Sequence, residues 1–208
     1  MRYQTSIKEL LQNNYYERRD KMVFVACAIL AEEIKCAMKE LGIQDEVIFI
    51  DPALHIDDKL LEAALIEKLN EAQSRNDKIG LLIGTSCHPK MMEIAKKYEA
   101  KIAPKANCTN LLLGDKMKEL DSECNSFYVS CGWLENWRNI FVDGLKWDAC
   151  DARQNFGSYE RVVFVDTGIG EVSDEDQFDF FEYTQVPIEP YETSLDHFKA
   201  QIMSLYKK

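Results

Sequence analysis

Short apolar runs alternate with longer amphipathic segments along most of the chain. The apolar runs, such as "MVFVAC" and "EVIFI", are rich in β-branched and aromatic residues, which is typical of strands that are buried on both faces. The segments between them place apolar residues three or four positions apart, which predicts helices packed against a sheet. The predicted strands are 21–27, 46–52, 78–87, 126–132, 161–170 and 178–186. The predicted helices are 6–19, 28–42, 58–75, 89–100, 107–120, 133–147 and 194–208.

This alternation of strands and helices predicts βαβ units and therefore an α/β fold. We expect a parallel or mostly parallel sheet with helices on both faces, in the three-layer arrangement of Rossmann-like proteins. No linker, internal repeat or low-complexity segment interrupts the pattern, so residues 1–208 are predicted to form a single domain. An N-terminal helix within 1–20 and a C-terminal helix within 193–208 would flank the sheet.

The charge balance narrows the classes of partner. The chain has 25 basic and 36 acidic residues, a net charge of −11, whereas nucleic acids and anionic membranes bind basic surfaces. No window approaches the ~18 apolar residues of a membrane span, and the N-terminus lacks a secretory signal. We therefore expect a cytoplasmic protein that binds neither nucleic acid nor membrane. Its seven cysteines are then expected to stay reduced, and an odd number fits a closed disulfide framework poorly.

Four of the cysteines lie where a predicted strand meets the next helix: Cys27, Cys87, Cys108 and Cys131. In a parallel sheet these junctions meet at the carboxyl edge, where open α/β sheets bind ligands. Helix N-termini also stabilise the thiolate, the form that binds metals. Cys27, Cys87 and Cys108 are the candidate ligands of a three-thiolate site with an open coordination position, as in catalytic zinc or substrate-binding iron–sulfur centres. The alternative is that each cysteine is a small core residue, as we expect for Cys36.

Two histidines are candidates for a further ligand or a proton carrier. His55 follows the second predicted strand and lies at the same predicted edge as the cysteines, although a surface-loop role is an equal alternative. His88 adjoins Cys87, where a nearby cation would favour the thiolate, but adjacent loop side chains tend to diverge. His197, in the C-terminal helix, is expected to be structural.

Further residues at this edge are candidates for substrate binding: Cys131, Trp133, Arg138, Asp166 and Thr167. Trp133 and Trp137 are four positions apart on one helix, so they would stack on a flat ligand or simply pack against neighbouring helices. Arg138 would hold a carboxylate. The "DTGIG" turn lacks both GxGxxG and the Walker lysine and gives only weak support for a phosphate site.

Several motifs together resemble one family. They are "FVACAILAEEI", "IDPALHIDD", "LLIGTSCHP", "NCTNLLLG" and "QNFGSYERVVFVDTG", and their order and spacing are similar to those of the family through residues 22–185. The family is the domain of unknown function sixteen thirty-eight, whose members are often encoded beside corrinoid-dependent methyltransferases. The resemblance implies an α/β fold and points to Cys27, Cys87 and Cys108 as shared cysteines. The chain departs from the family pattern at His88, where the family has glycine, and at Asn110, where it tends to be acidic.

These observations lead to one expected function and two alternatives. The leading expectation is a metal-binding enzyme or accessory protein in corrinoid or methyl-group metabolism, with zinc or an iron–sulfur cluster at the cysteines. A corrinoid is a further candidate cofactor, and a small molecule or a corrinoid protein is the candidate partner. The alternatives are a non-catalytic carrier of metal or corrinoid and a metal-free regulatory domain. The sequence does not specify the substrate or the oligomeric state.

Overall fold

Parallel strands form the framework of the chain, which the computed structural model describes over residues 21–75, 78–105 and 107–207. Within these residues the strands are β1 (Met22–Cys27), β2 (Glu46–Ile50), β3 (Lys78–Leu82), β4 (Lys101–Ile102), β5 (Ser126–Val129), β6 (Arg161–Asp166) and β7 (Ile188–Glu192). They form a four-stranded sheet in the order β2-β1-β3-β4 and a three-stranded sheet in the order β5-β6-β7, with every pair parallel. The predicted α/β class is confirmed. The helix predicted over 6–19 lies outside the described residues.

Helices connect these strands. The α-helices in the described ranges are α1 (Ala31–Glu40), α2 (Asp58–Gln73), α3 (Met91–Lys97), α4 (Cys108–Leu113), α5 (Lys116–Glu123), α6 (Cys131–Trp137), α7 (Ala149–Phe156), α8 (Asp174–Thr184) and α9 (Asp196–Ser204). Short 3-10 turns at Ala28–Leu30 and Pro52–Ile56 follow β1 and β2. A π-helical segment, Arg138–Gly144, continues α6.

The first sheet is built around β1, all six residues of which are buried. Val25 of β1 is paired with Ile48 on one side and with Leu81 on the other. The chain therefore moves from β1 outward to β2 and then returns to the opposite side of β1 as β3. Such a reversal of strand order opens a crevice beyond the carboxyl ends of β1 and β3. Open α/β sheets bind ligands in this crevice.

Helix α2 shows how the sequence pattern becomes packing. Asp57 caps its N-terminus, since the carboxylate accepts hydrogen bonds from the backbone N–H groups of Lys59 and Leu60 at 2.8 and 3.1 Å. Its buried face is formed by Leu61, Leu65, Leu69 and Ala72, three or four residues apart. This face packs on the first sheet, and burying each leucine contributes about 2 kcal/mol.

The last part of the chain differs from the sequence-based expectation. The strand predicted over 178–186 is wrong, because these residues belong mainly to α8. Ser173 caps the helix and three acidic residues follow in its first turn, which favours a helix over a strand. The actual last strand, β7, contains Pro190, and proline is tolerated there because β7 lies at the edge of its sheet.

Two other segments also differ. The helix predicted over 107–120 is two helices, α4 and α5, since the chain turns at Gly114 with φ of 58°. A Cβ atom at Gly114 would lie 2.5 Å from the ring of His197, which packs there as the expected structural histidine. The segment around Cys150 is helix α7, and a capping box between Asp148 and Asp151 begins it.

A close backbone contact connects α6 to the turn that follows β1. A Cβ atom at Gly132 would lie 2.1 Å from the carbonyl oxygen of Ile29, so only glycine fits between α6 and this turn. Ile29 is itself buried in the core. The contact fixes the start of α6, including Trp133, against the loop that begins at Cys27.

We predict that Gly132→Ala lowers the free energy of unfolding by about 3 kcal/mol, because the added methyl group forces two backbone segments apart. Urea denaturation followed by circular dichroism measures the change. Glu135→Ala, at an exposed position of the same helix, serves as the control and is expected to change stability by less than about 0.5 kcal/mol. Equal stability of Gly132→Ala and the wild type would contradict the conclusion that only glycine fits at residue 132.

Candidate functional site

A cavity of about 330 Å³ lies at the carboxyl edge of the first sheet. Its wall is formed by Cys27, Ile29, Pro52, His55, Ser86, Cys87, Asn107, Cys108 and Trp133. The structure therefore brings the three cysteines predicted from the sequence to one cavity, together with His55. Cys27 ends β1, and the other three residues follow β2, β3 and β4, so the cavity occupies the crevice where the strand order reverses.

Each of the three cysteines is positioned by backbone structure. Cys27 is the last residue of β1 and directly precedes the Ala28–Leu30 turn. Cys87 lies in a turn closed by a hydrogen bond from its own N–H to the carbonyl of Gly84 at 3.1 Å, and the N–H of Thr85 holds this turn to Lys105 at 2.8 Å. Cys108 is the first residue of α4. The cysteines therefore lie at element ends that the fold fixes.

Burial makes the three thiols hard to ionise. Loss of water raises the pKa of the Cys87 thiol to about 12, and it raises the pKa values of Cys27 and Cys108 as well. The charge that Cys108 would carry as a thiolate raises the pKa values of both Cys27 and Cys87 further. The sulfurs are thus close enough to repel one another when ionised, and the three thiols are neutral at pH 7 without a cation among them.

Hydrogen-bond donors at each sulfur oppose the effect of burial on the thiol pKa. Backbone N–H groups lower the pKa of each thiol: those of Ile29 at Cys27, Gly84 at Cys87, and Thr109 and Cys108 itself at Cys108. The indole Nε1–H of Trp133 also donates to the sulfur of Cys108 at 3.4 Å. N–H donors of this kind stabilise thiolates and tune the metals that thiolates bind.

The side chains as they stand do not form a ready-made ligand set. Within residues 21–75, 78–105 and 107–207, no three His, Cys, Asp or Glu side chains are arranged to hold a metal ion. Binding a metal at the three cysteines therefore requires their side chains to rotate toward a common centre. A cysteine side chain has a single χ1 angle, so such a rotation changes one torsion angle per residue.

His55 has the hydrogen bonding expected of a metal ligand or proton acceptor. Its Nδ1 lies 3.1 Å from the carbonyl oxygen of Pro52, and because a carbonyl only accepts, Nδ1 carries the proton. The lone pair is then on Nε2. Burial lowers the pKa of His55, so the ring is neutral at pH 7. A ligating histidine commonly donates its other N–H to a backbone carbonyl in this way.

His88 does not line the cavity, although it adjoins Cys87. Its ring is buried, and its Nδ1 accepts a hydrogen bond from the N–H of Lys90 at 3.1 Å. Its Nε2 lies 3.7 Å from a carboxylate oxygen of Glu62. Both ring nitrogens are thus directed to residues outside the cavity, which favours a structural role for His88 over a role as a ligand.

The candidate substrate-binding residues do not lie together in the structure. Trp133 lines the cavity, whereas Trp137 is buried against Phe180 and Tyr183, as helix packing predicts. Arg138 lies over the ring of Trp137, 4.4 Å from its centroid. Its guanidinium forms ion pairs with two carboxylates of α8, those of Asp176 and Asp179. Arg138 therefore joins two helices and does not line the cavity.

The other three candidates lie around the start of α6 and the end of β6. The Cys131 sulfur packs against Gly170, and its pKa is raised to about 12 by burial and the nearby carboxylates, Glu135 foremost. Asp166 accepts a hydrogen bond from the N–H of Gly168 at 2.8 Å. The hydroxyl of Thr167 is buried and has no hydrogen-bond partner among the described residues. None of the three lines the cavity of Cys27, Cys87 and Cys108.

The sequence analysis did not identify Glu33 as a candidate. Its buried carboxyl group lies between the thiol cavity and the residues around Cys131 and Thr167. Its side chain is 2% exposed, and its Oε1 has no hydrogen-bond partner in the described part of the chain. Burial, with smaller effects from Glu135 and Glu32, raises its pKa to about 7, while the neighbouring Thr167 hydroxyl opposes the shift. The signal was available: Glu33 is three residues after buried Leu30 and four before buried Ala37, on the core side of α1.

A family model described as "Protein of unknown function (DUF1638)" matches residues 49–202. The chain belongs to this family. The match to DUF1638 includes Cys87 and Cys108 and begins after Cys27. No curated protein and no solved structure matches this DUF1638 protein. In the described residues, no helix has the length and apolar character needed to cross a membrane.

We predict that Glu33→Gln removes a pH-dependent instability of this DUF1638 protein. A carboxyl whose folded pKa of about 7 exceeds its ordinary 4.5 keeps its proton longer in the folded state, so stability falls as the pH rises through that interval. The variant should therefore exceed the wild type in stability by up to about 3 kcal/mol at pH ~8 and match it near pH ~4.

Urea denaturation at a series of pH values measures this difference. Glu32→Gln, which neutralises the exposed neighbour of Glu33, is the matched control and should follow the wild-type pH profile. A Glu33→Gln profile parallel to that of the wild type would show that Glu33 is ionised alike in the folded and unfolded chains.

Proposed function

We propose that Cys27, Cys87 and Cys108 bind a thiophilic metal centre, Zn²⁺ or an iron–sulfur cluster, and that the protein serves methyl-group metabolism as an enzyme or accessory protein. The observation that carries the proposal is that three thiols from separate loops line one cavity at the reversal of strand order. Open α/β sheets bind their ligands at this position.

The donor set fits such a centre. Thiolates are the preferred ligands of zinc and iron–sulfur clusters, and the N–H donors at each sulfur support the thiolate form. A cation would offset both the burial and the mutual repulsion that otherwise keep the thiols neutral. Three protein ligands leave one position of a tetrahedral zinc site for substrate, or for Nε2 of His55.

A bound metal would supply Lewis-acid activation of a nucleophile in the zinc version, and substrate binding or electron transfer in the cluster version. The chain itself contributes orientation and proton transfer. His55, neutral and with its lone pair on Nε2, would accept a proton at the cavity. Trp133 and Ile29 form an apolar part of the cavity wall.

The link to methyl-group metabolism rests on the family to which the chain belongs. The resemblance of the motifs to this family implies an association with corrinoid-dependent methyltransferases, so a corrinoid or a corrinoid protein in the cytoplasm is the proposed partner. The cavity of about 330 Å³ holds a small substrate and is too small to enclose a corrin. A corrinoid would therefore approach the open side of the site and remain on its own protein.

A second candidate function is a carrier that delivers metal or corrinoid without chemistry of its own. Among the described residues that line the cavity, His55 is the one acid–base side chain besides the thiols. A multistep reaction commonly needs more acid–base groups than this, which favours a carrier. The third candidate, a metal-free regulatory domain, treats the three cysteines as core residues.

We predict that protein purified without oxygen contains about one zinc ion or one iron–sulfur cluster per chain, and that Cys27→Ser, Cys87→Ser and Cys108→Ser each lower this content at least about tenfold. Serine keeps the shape of the side chain but is a far weaker ligand for these metals. Elemental analysis with an absorption spectrum measures the content and distinguishes zinc from a cluster.

Cys150→Ser is the control, because Cys150 is exposed and does not line the cavity, and it should keep the full metal content. Wild-type protein that contains no metal after purification without oxygen, together with a Cys87→Ala variant that keeps the wild-type fold and stability, would eliminate the metal site and leave the regulatory alternative. With metal present, methyl transfer measured with and without a methylated corrinoid protein separates the enzyme from the carrier.

A further inference from the structure

A second cavity, of about 440 Å³, lies beside the cavity of the three thiols. The two cavities share Asn107, Cys108 and Trp133 in their walls. The remaining wall of the second cavity comes from Thr109, Met117, Asp121, Cys124, Asn125, Ser126, Phe127, Tyr128 and Tyr159. We call it the aromatic cavity, because four of its lining residues carry aromatic rings. The proposed function makes no use of it.

The rings are held in place by one another. Phe127 contacts Trp133 edge to face with centroids 6.2 Å apart, and it contacts Tyr159 at 5.3 Å. Trp133 is stacked on Phe141, outside the cavity, at 5.9 Å. Aromatic pairs at these distances are attractive, so the cavity has walls that keep their shape without a ligand. Preorganised aromatic walls lower the entropic cost of binding.

The charge at this cavity is negative. Asp121 is exposed on α5 and lies in the wall, where one carboxylate oxygen accepts a hydrogen bond from the Tyr128 hydroxyl at 2.6 Å. Burial, together with this carboxylate, raises the pKa of Tyr128, so the phenol keeps the proton that it donates to Asp121. Asp121 thus gives the aromatic cavity a carboxylate that the solvent reaches.

The guanidinium that contacts this wall is already paired with carboxylates. Arg161 donates from Nε to the hydroxyl of Ser126 at 2.9 Å. Its other nitrogens form ion pairs with Glu123 at 2.9 Å and with Glu189 at 3.0 Å. Two carboxylates therefore outnumber the one guanidinium, and Asp121 is a further negative charge in this part of a chain whose net charge is −11.

We propose that the aromatic cavity binds a small organic cation of the alkylammonium class. Aromatic ring faces attract cations through their quadrupole, and several rings around one cavity are the arrangement that recognises quaternary ammonium groups. A carboxylate at the wall adds a charge-specific attraction that a neutral ligand of the same shape lacks. The bound cation would lie beside Cys108 and Trp133, at the boundary with the thiol cavity. The proposal needs no metal at the thiols.

The test compares choline with its carbon isostere, in which a quaternary carbon replaces the nitrogen, by isothermal titration calorimetry on the full chain. Choline should bind saturably and at least about fivefold more tightly than the isostere, because only the cation gains from the rings and from Asp121. Asp121→Asn should weaken choline binding about threefold or more and leave the isostere unaffected. Tyr159→Leu should weaken choline binding as well.

Glu119→Gln is the matched control, since it removes one exposed carboxylate from the same helix at a residue outside the cavity wall. It should leave choline binding unchanged. Cys87→Ser, which alters the thiol cavity alone, should also bind choline normally, so loss of the metal centre and loss of the cation site are separate results. Equal affinity for choline and the isostere, absence of saturable choline binding, or equal effects of Asp121→Asn and Glu119→Gln would overturn the proposal.

Discussion

The backbone contact between Gly132 and the carbonyl oxygen of Ile29 determines how the two halves of the chain meet. It places the start of α6, which follows β5 of the second sheet, directly against the turn after β1 of the first sheet. Trp133 is the next residue, and it thereby reaches the sulfur of Cys108. The thiol cavity is thus closed on one side by a residue from the other half of the molecule. A side chain at residue 132 would displace that wall, so the site depends on a hydrogen atom in place of a methyl group.

Two opposing electrostatic effects act on the ionisation of the three thiols. Burial and mutual repulsion favour three neutral thiols, while N–H donors at every sulfur favour thiolates. Neutral thiols are weak acceptors and gain little from those donors. The donors are therefore of most use to a state in which the sulfurs share their negative charge with a cation. Burial also raises the pKa of the nearby Glu33, to a value close to neutrality. Its carboxyl group is buried without a full set of hydrogen-bond partners.

The sequence allowed the thiol cavity to be predicted better than the second half of the fold. Cys27 and Cys87 follow apolar runs too regular to be mistaken, and parallel strands bring such ends together whatever the details of the helices. Local chemistry misled the prediction at 178–186, where three phenylalanines and a tyrosine suggested a strand although the cap at Ser173 indicated a helix. The charged edge strand β7 escaped notice because half-exposed strands with a proline lack an apolar run. The spacing of Glu33 from Leu30 and Ala37 indicated that it lies on the buried face of α1, but the lack of a partner for its Oε1 depends on tertiary contacts.

Trp133 belongs to the walls of both cavities and donates a hydrogen bond to Cys108. Its ring has a single position at any moment, so an occupant of one cavity that turns the ring also changes the shape of the other cavity and the hydrogen bond to the sulfur. Trp133 is therefore a partition between two chambers. A substitution at Trp133 alters both of them at once, whereas Cys87 and Asp121 each line only one.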